Sequence, residues 1–342
     1  MNYRAWQVKQ PDEKAAARLA GAIGAPLLLA RILTARGICD PAGALAFLQE
    51  DAPLGDPFAL RDMDKAVQRI QRAVDEEEPI VIFGDYDVDG VTATALLYSH
   101  LRGMGANVRC KLPSREEDGY GLTVPVVEAL AEKGFKLLIT VDNGITSVAE
   151  AARAAELGLD LVVTDHHLPL ETLPAAAAVV DPARPDDESP FKALSGAGVA
   201  FKLCAALDGC APEDLLDFAG DLAAIGTVAD VMPLVGENRT IVRHGLAALQ
   251  NSERPGLLAL LEACGLSEKP VTAENISFAL APRINAAGRM DSAVTALQLL
   301  LCEDFEKAEQ LTERLLAANT ARQEAEQQIM AEAEAQLAAD PA

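Results

Sequence analysis

The chain is poor in positive charge, in paired cysteine and in long apolar runs, and each shortage closes off a class of function. Against 52 Asp and Glu there are 29 Lys and Arg, a net charge of −23. A surface with general affinity for polyanions is therefore excluded, and any polyanion has to be met by a local basic patch. Six cysteines (Cys39, Cys110, Cys204, Cys210, Cys264, Cys302) are scattered without a CxxC or paired spacing. That pattern speaks against structural zinc, iron–sulfur clusters and a disulfide framework, and it suits small core residues in a reducing cytoplasm. No uncharged apolar run reaches the roughly eighteen residues of a membrane span, and the polar N-terminus "MNYRAWQVKQPDEK" has no apolar signal core. Membrane insertion and secretion are not expected.

What remains is an ordinary globular chain of 342 residues, half of them hydrophobic, long enough for roughly two domains of ~150 residues. Residues 1–54 read as a helical arm of short Ala/Leu-rich segments that ends in the turn-rich "EDAPLGDPFAL". From "EPIVIFGD" onward, short apolar runs alternate with helical patterns. "IVIF", "NVRCKL", "KLLITV" and "LVVT" open four successive units, and "AAVV" follows the last. Such alternation predicts an α/β fold with a doubly wound, mainly parallel sheet over 55–205. A helical subregion is expected over 206–303. Residues 304–342, without Gly or Pro until Pro341 and rich in Ala, Glu and Gln, predict one long, mostly exposed connecting helix.

In a parallel sheet, ligands bind beyond the carboxyl ends of the strands, and here those ends are acidic. The first run ends in Asp85, Asp87 and Asp89, the third in Asp142, Asn143 and Gly144, the fourth in Asp165, His166 and His167, and the last in Asp181. Taken singly, a strand-end Asp is a helix cap or a turn residue, and adjacent histidines are surface residues. Capping gives no reason for the strand ends to agree. Several carboxylates converging at low dielectric would repel one another until some became neutral, unless a divalent cation compensates them. An oxygen-rich set with imidazole and no cysteine points to Mn²⁺ or Mg²⁺, as one ion or as two sharing a carboxylate, with Asp89 or Asp142 as the bridge.

Two rival motifs fail. "DYDVDG" matches the first half of an EF-hand loop, but the twelfth position is Leu96, where a bidentate Glu is needed. "FGDYDVDGVT" has neither GxGxxG nor the Lys-Ser/Thr of a P-loop.

Taken in order, "DYDVDG", "VDNG", "TDHH" and "GTVADVMPL" resemble the DHH phosphoesterase superfamily, and specifically its RecJ branch of single-strand DNA exonucleases. "LSGAGVAFKL" and "APRINAAGRM" extend the resemblance over roughly residues 40 to 320. It implies metal ligation by Asp87, Asp89, Asp142, His166 and Asp230, the last of which composition alone would leave as structural. It also implies that His167 hydrogen-bonds the scissile phosphate. Around these, Asp165 is expected to orient His166, and Asp85 to support its loop. Phe83 stands where pyrophosphatase relatives have a histidine, which weighs against inorganic pyrophosphatase. RecJ proteins also share a later domain (DHHA1-type) with a Gly-Gly-His motif, and this chain has no Gly-Gly pair, so the long C-terminal helix is expected to lead toward that part.

The resemblance implies metal-assisted 5′ to 3′ hydrolysis of phosphodiesters in single-stranded DNA, in repair and recombination, by a monomer. A helicase or a single-strand-binding protein is the candidate protein partner. For substrate contacts the sequence offers Arg109, Lys111 and Arg115 with Tyr120, and Arg283, Asn285 and Arg289 in "PRINAAGR". Ser195 and Gly196 open a helix whose amides suit a phosphate. A narrow cleft with few aromatics would admit a single strand and exclude duplex. Two other readings stay open: a DHH phosphodiesterase for short oligonucleotides or cyclic dinucleotides, and an inactive DHH-like DNA-binding scaffold.

Overall fold

Alternation along the strands decides how the sheet is covered. Strand neighbours point to opposite faces, and the strand residues here are apolar on both, the pattern of a sheet buried between two helical layers. The computed structural model describes residues 9–48, 52–113, 121–290 and 292–339. By contact the chain divides into two units, 1–53 and 54–342.

In the first unit, α1 (Glu13–Ile23), α2 (Leu27–Ala35) and α3 (Pro41–Leu48) pack around Ala16, Leu19, Ala30, Leu33 and Ala44. Asp12 caps α1 by accepting from the amides of Lys14 and Ala15.

The second unit opens with α4 (Met63–Asp75) and continues through β1 (Ile80–Phe83), α5 (Val88–Gly103), β2 (Val108–Lys111), α6 (Val124–Glu132), β3 (Leu137–Val141), α7 (Val148–Glu156), β4 (Asp160–Thr164) and β5 (Ala178–Val180). All pairings are parallel, in the order β2-β1-β3-β4-β5. Ile80, Ile82, Ile139, Val162 and Val180 face one core with α4 and α5. Val81, Phe83, Leu138, Val163 and Val179 face another with α6 and α7. The chain runs outward from β1 to β2 and then returns to lay β3 on the other side of β1, so the strand order reverses between β1 and β3. That reversal opens a crevice at the carboxyl ends of those two strands.

The helical remainder comprises α8 (Gly196–Asp208), α9 (Leu216–Ala229), α10 (Gly236–Gln250), α11 (Pro255–Ala263), the single turn α12 (Ala273–Asn275) with a π-helical turn over Ile276–Leu280, α13 (Ala281–Met290), α14 (Ala293–Leu300) and α15 (Phe305–Ala339). α5 is buried almost all round because α8 and α9 pack on it from the side away from the sheet. α15 buries Ala308, Leu311 and Leu315 in its first turns, and its described second half is exposed. Among the described residues no helix is long and apolar enough to cross a membrane.

Candidate metal centre

Each acidic residue of the crevice is placed by an interruption of regular structure. β1 ends at Phe83, Asp85 and Asp87 occupy the turn into α5, and Asp89 lies in the first turn of that helix. Asp87 is the N-cap of that helix, accepting from the Gly90 amide at 3.0 Å. Asp142 follows β3 with a left-handed backbone, φ 59°, a conformation that Asp tolerates better than most residues. His166 follows β4, and Asp230 is the C-cap of α9.

These elements converge. The Nε2 of His166 lies 3.1 Å from Asp142 Oδ1, 3.7 Å from Asp230 Oδ2 and 3.8 Å from Asp89 Oδ2. Neither that nitrogen nor Asp142 Oδ1 makes a hydrogen bond, although both are buried. Ligands at the ~2.0–2.1 Å of an octahedral site stand about 3 Å apart when adjacent and about 4 Å apart when opposite. The spacing therefore fits donors around one cation. Among the described residues three groups could hold an ion: Asp89, His166 and Asp230; Asp142, His166 and His167; and Asp85, Asp87 and Asp142. Asp85 thus stands with the possible ligands as well as supporting the loop, where its Oδ1 accepts from the Tyr86 amide.

Without a cation the electrostatics are unfavourable in the way the sequence predicts. Burial, with the charge of Asp230 beside it, pushes Asp89 up to about 7. Burial and the neighbouring Asp89 hold Asp142 well above the carboxylate range. Asp85 is raised to about 7 by burial and Asp87, and Asp230 to about 6 by burial and Asp87. His166 is lowered to about 4 by burial and by His167, so its lone pair is available as a donor. Buried acids facing an unprotonated imidazole are what a divalent cation would relieve.

The surrounding contacts correct the sequence reading in several places. Asp165 does not orient the His166 ring. It accepts from His167 Nδ1 at 2.7 Å and from the amides of Ile145 and His166. The Leu194 backbone instead lies close enough to the His166 ring to favour its protonated form, the kind of contact that orients a metal-bound imidazole. With its proton held against Asp165, His167 is raised to about 9, and it stands half-exposed at the mouth of the crevice.

Ser195 and Gly196 do sit beside the centre, but the amides of Gly196 and Ala197 donate to Asp89 at 2.6 and 2.9 Å. The N-terminus of α8 therefore holds a carboxylate where the sequence suggested a phosphate. Ser195 is fully buried, capping α8 through Gly198 and touching the Thr227 hydroxyl. Asp181 lies buried near Asp165 and His167, accepting from the Ala183 amide, and is outside the metal groups.

Arg109 does not join the centre. It pairs with Val81 in the middle of edge strand β2 and lines a cleft with Tyr98, Arg102 and Lys307. Arg283 donates to the Ala279 carbonyl at the start of α13, and Asn285 is half-buried on that helix. Of the segment "PRINAAGR", Gly288 reaches the centre's loop, where an added Cβ would stand 2.5 Å from the Tyr86 carbonyl. Arg115 and Tyr120, and the side chain of Arg289, lie outside the described residues.

Comparison with known proteins agrees with this geometry. Residues 79–227 match the model of the DHH family, N-terminal domain. A solved structure of exonuclease RecJ bound to manganese superposes with a TM-score of 0.75 at 40% identity, covering 82% of this chain and 71% of that one. The chain belongs to the RecJ family. RecJ of Thermus thermophilus in complex with Mn²⁺ superposes over 95% of the chain and 46% of its own, with TM-score 0.80 at 35% identity. The single-stranded-DNA-specific exonuclease RecJ of Bacillus subtilis is 42% identical over 319 residues, which is 93% of this chain and 40% of that protein. The chain spans about half the length of the curated RecJ relatives it matches.

Proposed function

We propose that the chain carries the hydrolytic centre of a metal-dependent exonuclease acting on single-stranded DNA. The observation that carries this reading is the convergence of His166 Nε2 with Asp89, Asp142 and Asp230 at the sheet's switch point, in a chain 42% identical to a single-stranded-DNA-specific exonuclease. Asp87, Asp89, Asp142, His166 and Asp230 would hold Mn²⁺ or Mg²⁺, with Asp85 beside them and Asp142 belonging to two of the three groups. Bound there, the cation supplies Lewis acidity and lowers the pKa of water.

The chain's own groups do the rest. His167, protonated through neutral pH and fixed by Asp165, points a donor at a phosphate oxygen and stabilises charge that develops on it. Leu194 fixes the His166 ring so that its lone pair faces the carboxylates. The amides of α8 keep Asp89 in place and ready to accept a cation.

The test compares hydrolysis of a long single strand, its duplex and a dinucleotide, with Mn²⁺ and with chelator. Metal-dependent loss of the single strand, abolished in a folded Asp89→Ala variant, is the expected result. Preference for the dinucleotide would move the assignment to a small-substrate phosphodiesterase, and strand binding without hydrolysis would move it to a scaffold.

A further inference from the structure

Two segments leave the centre, and each does so with an exposed aliphatic side chain. Asp230 closes α9. After it, the amide of Val231 bonds the Val228 carbonyl and that of Met232 the Thr227 carbonyl, each at 3.2 Å, the hydrogen-bond pattern of a Schellman turn. The residue after the cap in such a turn takes a left-handed backbone and is usually glycine. Here it is a β-branched valine at φ 59°, with 86% of its surface exposed. That conformation is a true outlier for valine, and so exposed a side chain recovers nothing by packing. In the second segment, Leu168 directly follows His167 and is 82% exposed. Strain kept at a site is a reason to ask what the side chain does.

The position of these residues suggests the answer. The carboxylate of Asp230 lies 3.7 Å from His166 Nε2, and consecutive Cα atoms are about 3.8 Å apart. A nucleoside whose phosphate sits on the ligand cluster therefore comes within reach of the residues that follow Asp230 and His167. Unpaired bases are usually stacked on aromatic rings. Of the aromatics nearest the ligands in sequence, Phe83 is buried in one core and Tyr86 is partly buried against the other.

We propose that Val231, with Leu168, forms an aliphatic rim that seats the base of the terminal nucleotide while its phosphate occupies the centre. The proposal rests on the single-strand nuclease reading above. Val231 is on this account a substrate-positioning residue, held in a conformation that glycine would adopt more readily.

The experiment uses the Mn²⁺-loaded chain and thymidine strands whose terminal residues either carry a base or are abasic. Binding of a fluorescent phosphorothioate strand is measured by anisotropy, and thermal unfolding is recorded in parallel. Val231→Gly, and Val231→Asn, which also accepts the left-handed backbone, are expected to unfold at a temperature no lower than wild type. On base-bearing strands KM and Kd rise about fivefold with kcat unchanged, and Leu168→Ser acts in the same direction. On abasic-ended strands wild type and variants coincide. Unchanged KM and Kd on base-bearing strands would overturn the rim. So would an equal loss on both strands, which would make the valine a support for Asp230 alone. If wild type binds strands and does not cut them, the anisotropy comparison still decides the rim while the nuclease reading fails; if it neither cuts nor binds, both fail.

Discussion

A carboxylate that accepts three hydrogens from the two residues after it and a fourth from the Ile145 amide in the loop after β3 does more than balance charge. Asp165 is buried, with a pKa held below the carboxylate range despite burial, because His167 and the amides of Ile145 and His166 donate to it. Its partner His167 is raised to about 9, so the ring stays protonated across neutral pH. Replacing Asp165 by Asn removes the negative charge and lets that pKa fall toward the ordinary ~6.5. Activity of Asp165→Asn should fall about 10- to 100-fold at pH 8 and recover in part as pH is lowered through 6.5, a limb absent from the wild-type pH–rate profile. A parallel profile for the two proteins would show that the ring's protonation does not matter. The residues at strand ends were legible in the sequence because each closes an apolar run. Asp165 was legible as a neighbour of the centre, but which histidine it grips depends on how the chain turns after β4, and no residue spacing encodes that. Asp230 closes a helix buried on nearly every side, far along the chain, and could be picked out only through the family resemblance.

The helices α5, α8 and α9 meet at Gly226, and α8 meets the end of β3 at Gly196; neither glycine leaves room for a methyl group. A Cβ on Gly226 of α9 would stand 2.4 Å from Asp89 Oδ1 and 2.6 Å from both Ala197 Cβ and Thr92 Oγ1, and one on Gly196 of α8 would stand 2.4 Å from Asp142 Cβ. The close approach lets α8 present its first amides to Asp89, 107 residues away in sequence. Gly226→Ala should destabilise by about 1–3 kcal/mol and weaken Mn²⁺ binding at least tenfold, measured by chemical denaturation and by calorimetric titration. Full Mn²⁺ affinity with normal stability would mean that the helices adjust without disturbing Asp89. The order of strands and helices was readable from apolar periodicity, because local pattern suffices for it. The tight helix crossing was not, since a small residue in a helix looks the same whether it faces solvent or a carboxylate. The misplacement of Arg109 has a related cause: proximity to a strand end in sequence says nothing about edge position, and its register with Val81 puts it in mid-strand.

The centre also governs how the whole molecule responds to pH. Asp85 and Asp89 rise to about 7 and Asp230 to about 6 in the fold, against the ordinary 3.8 of an aspartate. Between pH 4 and 7 the folded state therefore binds more protons at these groups than the unfolded chain, and stability falls as pH rises through that window. His166, lowered to about 4, acts the other way, but only below its ordinary 6.5 and as one group against three. Metal-free protein should thus melt at a higher temperature at pH 6 than at pH 7.5. With Mn²⁺ the order should reverse, because ligands bind the ion deprotonated. An unchanged pH dependence on adding metal would exclude these carboxylates as its ligands. The architecture adds something further. Asp89 is gripped by α8, His166 leans on Leu194 just before that helix, and Asp230 arrives from α9, so drawing the sheet away from the helical half would dismantle the ligand set in the same motion. An ion seated there acts as a rivet through two layers. Amide exchange at Gly196, Ala197 and the last turn of α9 should slow on loading, while α6 and α7, on the sheet's other face, keep their unloaded rates.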